Sequence, residues 1–156
     1  MKKTIYIFIM AILVSGCATA RIAPRPRPPK ETSASLYFTR GKTFLYCATP
    51  AIISVDSIES VSLAQNAWAI VEVSSGEHSI LLRSQNAGQS KNNQKVYLKE
   101  SESRYYEVYP NPGLMPASLV PISSFAVEPF LLREFTAEQF ENAKKSRKNI
   151  EVPYYD

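Results

Sequence analysis

Three kinds of residue in this 156-residue chain have the chemistry to react: the thiol of Cys17, the imidazole of His78 and a few carboxylates on predicted strands. Cys17 follows the small residues Ser15 and Gly16, which leave its sulfur and the Gly16–Cys17 peptide bond accessible. His78 is the only histidine, which leaves no histidine-based metal cluster and at most one histidine-assisted proton transfer. A Ser-His-Asp arrangement would need His78, Asp56 and a serine, and no nucleophile-elbow glycine pattern surrounds any serine. His78 reads instead as a turn or strand-edge residue holding a backbone hydrogen bond. Asp56, Glu72, Glu77 and Glu107 are the carboxylates from which a glycan hydrolase would draw its pair, and their spacing singles out none. The five glycines form no phosphate-cradling loop. The sequence assigns no catalytic residue, no metal ligand and no cofactor.

The elements that position these groups begin with the N-terminus. Lys2 and Lys3 precede an apolar run of ten residues, Ile5 to Val14, broken only by Tyr6. A membrane-spanning helix needs about 20 residues, so residues 1–16 read as a signal peptide. Val14-Ser15-Gly16-Cys17 resembles the bacterial lipobox, which implies cleavage after Gly16 and a diacylglycerol and N-acyl group on Cys17. Two or three acyl chains hold a protein on a membrane where one binds only marginally. Ala18, by resemblance to the sorting rule of Gram-negative lipoproteins, directs the chain to the outer membrane, with the domain facing the periplasm.

Of 18 Lys and Arg, two belong to the signal peptide, which leaves 16 against 14 acidic residues and lowers the balance from +4 to +2. A charge so close to neutral gives no case for nucleic acid. With Cys17 lipidated, Cys47 has no partner in its own chain, and a disulfide scaffold is excluded. Cys47 then reads as a small buried hydrophobe, or as a bond to another chain if exposed.

Residues 17–34 read as a disordered tether in which Ala23-Pro24-Arg25-Pro26-Arg27-Pro28-Pro29-Lys30 favours polyproline II. At about 3.1 Å per residue it would hold the domain as far as ~50 Å from the bilayer. Arg21, Arg25, Arg27 and Lys30 are its candidate contacts with anionic lipid. A plain spacer and a proline-motif ligand are the other readings.

Residues 35–134 alternate in strand fashion, with strands expected at 35–40, 51–56, 68–73, 78–83, 96–100 and 105–109. Ser74-Ser75-Gly76-Glu77 and Ser101-Glu102-Ser103 predict two hairpins. Residues 118–130 are apolar but hold Pro121 and Pro129, which confine them to an edge or to irregular structure. Within 135–156, Thr136 and Gln139 predict a capped helix over 137–147, followed by a tail that docks as a short strand. The fold class is therefore mainly β: a small antiparallel sandwich with one C-terminal helix.

Leu36-Tyr37-Phe38-Thr39-Arg40, Ser54-Val55-Asp56, Ser75-Gly76-Glu77-His78 and Tyr105-Tyr106-Glu107-Val108 occur in an order that resembles a family of bacterial lipoproteins with a PEGA-like β-sandwich. Ser57 stands where that family has a turn glycine, and Ser75 where it has a proline. The resemblance implies a non-enzymatic envelope lipoprotein. Tyr105, Tyr106 and Tyr109 are the candidate contacts with an envelope protein partner, because adjacent tyrosines on one strand cannot both be buried on the same face. The expected function is binding or scaffolding from an outer-membrane anchor, and a small carboxylate-based peptidoglycan hydrolase is the alternative.

Overall fold

Strict alternation in Ala67–Ser74 buries Ala67, Ala69, Val71 and Val73, while Trp68, Ile70 and Glu72 point outward. This period-two pattern is repeated along the chain and yields two sheets that share one apolar layer. The computed structural model describes residues 22–43, 49–84, 93–112 and 130–155. In chain order the elements are β1 (Arg25–Pro26), a 3₁₀ turn (Lys30–Thr32), β2 (Ser33–Arg40), β3 (Ala51–Val55), β4 (Ile58–Leu63), β5 (Ala67–Ser74) and β6 (Gly76–Ser84). They continue with β7 (Asn93–Leu98), β8 (Ser103–Pro110), β9 (Phe130–Phe135), α1 (Ala137–Lys144), β10 (Lys148–Asn149) and β11 (Tyr154–Tyr155).

The chain is mainly β with one α-helix among the described residues, as the alternation predicts. A five-stranded sheet runs β10-β5-β2-β8-β9, and a four-stranded sheet runs β4-β3-β6-β7. The four-stranded sheet is antiparallel, whereas β2 lies parallel to β8 and β10 parallel to β5. Leu36 and Phe38 of the first sheet meet Ile53, Val55, Ile80 and Leu82 of the second in one core.

Neither predicted hairpin exists. β5 and β6 lie in different sheets, and so do β7 and β8. Each short connection carries the chain across the sandwich instead of back along its own sheet. At the first crossing Gly76 takes a φ of +133°, which only glycine adopts without strain, and Ser75 N–H donates to the Thr32 carbonyl. At the second, Ser101 N–H donates to the Ser33 carbonyl, and the Glu102 carboxylate accepts from Lys99 N–H. That N–H, and then the Arg104 guanidinium, hold the Glu102 carboxyl below its usual range.

A tight hairpin does form at β3–β4, where the sequence pattern shows none. Its turn residues, Asp56 and Ser57, both have positive φ (53° and 67°), as a type I′ turn requires. A bulge between Ile53 and Ser54 shifts the register to Glu59 and disrupts the alternation that would have advertised β4.

The aromatic outer face of the five-stranded sheet seats the helix. Tyr37 stacks on Tyr105 at 4.7 Å, and Phe140 packs against both and against Trp68. Phe140 is the one buried residue of α1, whose Thr136–Gln139 capping box forms as predicted. The helix ends at Lys144, three residues short of expectation, because the chain must turn to lay Lys148 and Asn149 beside Ala67 and Trp68.

At the end of β2, Arg40 is wholly buried; its guanidinium donates to the carbonyls of Thr49 (2.8 Å) and Leu63 (3.2 Å) and lies over the Phe130 ring. Replacing it strands one buried acceptor, Leu63, at about 1–3 kcal/mol, and one part-buried acceptor, Thr49. Arg40→Met should therefore lower stability by about 3 kcal/mol in urea titrations. Ser57→Gly should raise it by about 0.5–1 kcal/mol, by relieving a positive φ.

Candidate functional site

The proline-rich segment builds its own site. Prolines at 24, 26, 28 and 29 hold the backbone extended, and Pro26 has no N–H to lose. Arg25 and Arg27 on either side donate their N–H groups to the carbonyls of Pro153 (3.0 Å) and Tyr155 (3.2 Å), so β1 lies parallel to β11. The chain from Arg25 to Thr32 is thus a strap on the domain, and the expectation of a disordered tether through residue 34 is corrected for this stretch. The reason is that the apolar, aromatic tail supplies an extended partner, which a local reading of prolines and arginines does not reveal.

One strap side chain faces inward. Arg25 is buried, and one terminal nitrogen donates to the Ser60 hydroxyl at 2.6 Å. Burial holds this guanidinium below its ordinary pKa, and nearby Tyr154 and Asp56 draw it back up. Arg27 lies 3.7 Å from the Glu72 carboxylate and 5.1 Å from the Tyr154 ring centre. The Tyr154 hydroxyl accepts the Glu72 N–H at 2.6 Å. Arg25 is therefore inaccessible to lipid, and Arg27 faces a carboxylate of its own chain. Lys30 remains exposed on the 3₁₀ turn.

A shallow pocket of about 270 Å³ opens between the strap and the sandwich, lined by Arg25, Arg27, Asp56, Glu72, Ser74 and His78. His78 is buried on the inner face of β6, not at a strand edge. Its Nδ1 meets the Asp56 carboxylate at 2.6 Å, and its Nε2 meets the Ser74 carbonyl at 2.7 Å. The second Asp56 oxygen accepts the Ser79 N–H at 2.9 Å. The imidazole thus locks the β3–β4 turn to the β5–β6 crossing, and no serine hydroxyl is bonded to either ring nitrogen.

Of the four candidate carboxylates, the fold brings Asp56 and Glu72 to this pocket. Glu77 pairs with Lys95 in solvent, and Glu107 pairs with Arg133 and Arg147 on the outer face of the five-stranded sheet. Among the described residues, no three His, Cys, Asp or Glu side chains stand together as metal ligands would, and no helix is long and apolar enough to cross a membrane.

The predicted tyrosine surface is corrected at Tyr106. Tyr106 is core, 1% exposed and stacked on Phe38. Tyr105 lies under Phe140, and the Tyr109 ring carries the Arg133 guanidinium. Consecutive residues do face opposite sides of the sheet, but the helix occupies the side that sequence alone leaves to solvent. Tyr97 is the prominent exposed tyrosine, 66% accessible on β7. β7 is the outer strand of its sheet, with a partner on one side only among the described residues. A second groove, of about 540 Å³, lies between β4 and residues 148–153, with Ile22, Ser62 and Ile150 in its walls. Gly16, Cys17, Arg21 and Cys47 lie outside the described residues.

Compared with known proteins, the chain matches no family model and no curated sequence.

Burial raises the pKa of both Tyr106 and Tyr154. Each neutral phenol therefore contributes stability that is full below the ordinary tyrosine pKa of about 10 and is lost as pH rises through the higher folded value. Unfolding titrations should show a loss of stability above about pH 10, and Tyr106→Phe, which keeps the ring on Phe38, should make it shallower.

Proposed function

We propose that this chain is an outer-membrane-anchored lipoprotein of PEGA-like type whose sandwich binds or scaffolds another envelope component without chemistry of its own. The anchor rests on the Val14-Ser15-Gly16-Cys17 motif. The observation that carries the binding role is β7, an outer strand with three exposed residues at its start and the exposed Tyr97 near its end. A strand free on one side takes an extended segment of another protein by continuing the sheet, and an exposed aromatic adds side-chain selectivity. The Lys95–Glu77 pair beside it places charge on that surface, which discourages indiscriminate pairing.

The non-enzymatic reading is supported by the hydrogen bonds of His78, which commit both ring nitrogens to structural partners. The competing reading, a carboxylate hydrolase acting on peptidoglycan, has Asp56 and Glu72 on one pocket in its favour. Their surroundings favour structure: Asp56 is engaged by His78 and Ser79, and Glu72 lies beside Arg27.

A photocrosslinking residue at position 97, expressed in intact cells, should give a discrete heavier species that a Cys17→Ser chain fails to form. The same residue at position 105, beneath the helix, should give none. Monomer alone at position 97, together with cell-wall turnover abolished by Asp56→Asn, would replace this reading with the hydrolase.

A further inference from the structure

The position of Ile22 decides which end of the sandwich lies nearest Cys17. β1 runs parallel to β11, with Arg25 opposite Tyr154. Followed backwards from Arg25, the chain descends beside the tail and covers about 10 Å in three residues. It arrives at the groove whose wall Ile22 shares with Ala64, Gln65 and Lys148–Ile150. At this end β2 stops at Arg40, β5 starts at Ala67, and the helix gives way to β10. The far end of β2, at Ser33, is about 23 Å away.

Hydrogen bonds between distant segments build this base. The Arg147 guanidinium donates to the Thr39 hydroxyl at 2.6 Å, and the Asn66 amide donates to the Ser146 carbonyl at 3.1 Å. Lys148 N–H donates to the Asn66 carbonyl at 2.9 Å. Lys42 follows Gly41, which is packed against the Arg147 guanidinium. Together these contacts gather Lys42, Lys145 and Lys148 at one end, and all three are exposed. Lys144 and Arg147 are paired with Glu141 and Glu107, and the Lys145 amine donates to the Asn142 side chain at 3.0 Å. Among the described residues, no carboxylate pairs with Lys42, Lys145 or Lys148. Glu151, on the tail beside them, is the exposed acid of this end. The far end instead carries Asp56 and Glu72.

We propose that this base rests on anionic lipid head groups through Lys42, Lys145 and Lys148, a contact that depends on lipidation of Cys17. Five Cα steps separate Cys17 from Ile22, at most about 18 Å when fully extended. The acylated residue is therefore leashed to the base and not to the end bearing Asp56 and Glu72. So short a leash keeps the lysines close to the bilayer, where the attraction of an anionic surface is felt within a Debye length of about 10 Å. The anchor supplies position and the lysines supply orientation. β7 pairs with Gly76–Leu81, the part of β6 remote from the base, whereas Ser84 lies beside Ala51 and Leu63 at the base. In this orientation the free edge of β7 stands clear of the lipid.

The test uses the full lipidated chain carrying Cys47→Ser, reconstituted in vesicles of phosphatidylethanolamine and phosphatidylglycerol. Spin labels are placed singly through Asn149→Cys at the base, and through Tyr97→Cys and Tyr155→Cys away from it. A lipid with a nickel chelate on its head group relaxes labels that lie close to the surface. Relaxation at 149 should exceed that at 97 and 155 several-fold. The combined Lys42→Gln, Lys145→Gln and Lys148→Gln variant should reduce this excess at least twofold, and so should replacing phosphatidylglycerol by phosphatidylcholine. Equal relaxation at the three positions, or an excess that the triple variant leaves unchanged, would overturn the contact. The anchor is checked separately: an alkynyl fatty acid fed to cells should label the wild-type chain and not Cys17→Ser. A wild-type chain that takes up no label would remove the anchor and, with it, this orientation.

Discussion

A cation buried at the end of the central strand ties the two sheets together. Arg40 terminates β2, the middle of the five-stranded sheet, and reaches across to the Leu63 carbonyl at the end of β4 in the other sheet. It also holds the Thr49 carbonyl ahead of β3 and underlies the Phe130 ring at the start of β9. Sequestering a guanidinium is expensive unless its donors are used, so this residue specifies the relative placement of these elements more than it adds net stability. The apolar layer between the sheets accepts many similar packings, and directed hydrogen bonds select one of them.

Arg25 plays a related part at the other end. Its guanidinium binds the Ser60 hydroxyl, its backbone continues a ladder with the C-terminal tail, and the Asp56–His78 pair lies close by. The N- and C-terminal segments are thereby held to each other and to both sheets. Residues 25–32, which look like a solvated linker by composition, become a structural clasp, and two of the basic groups that suggested a grip on lipid, Arg25 and Arg27, meet Ser60 and Glu72 of the fold.

The tyrosines show how competition among surfaces decides a residue's role. Tyr37, Tyr105 and Trp68 form an apolar outer face that would be exposed in a bare sandwich, and Phe140 covers it. The helix is short and has a single buried residue, so it depends on this aromatic seat. Among the described residues, β7 is a strand left with a neighbour on one side only in its sheet.

The local code carried much of this. Alternation placed β2, β5 and β6 to within two residues at each end, and Thr136 with Gln139 placed the helix start, because side-chain periodicity and capping depend only on near neighbours. Four features escaped. β4 was hidden by a bulge, which breaks the period that reveals a strand. The crossings at Gly76 and Ser101 resembled hairpins, because a short polar turn looks the same whether it returns along one sheet or passes to the other. Arg25 looked solvated because its partners, Ser60 and Pro153, lie 35 and 128 residues away in sequence. His78 and Asp56, 22 residues apart, meet only once β3 pairs with β6. Periodicity settles which face of a strand is apolar. Which strands adjoin, and what covers them, is decided by packing between distant segments, which no local pattern encodes.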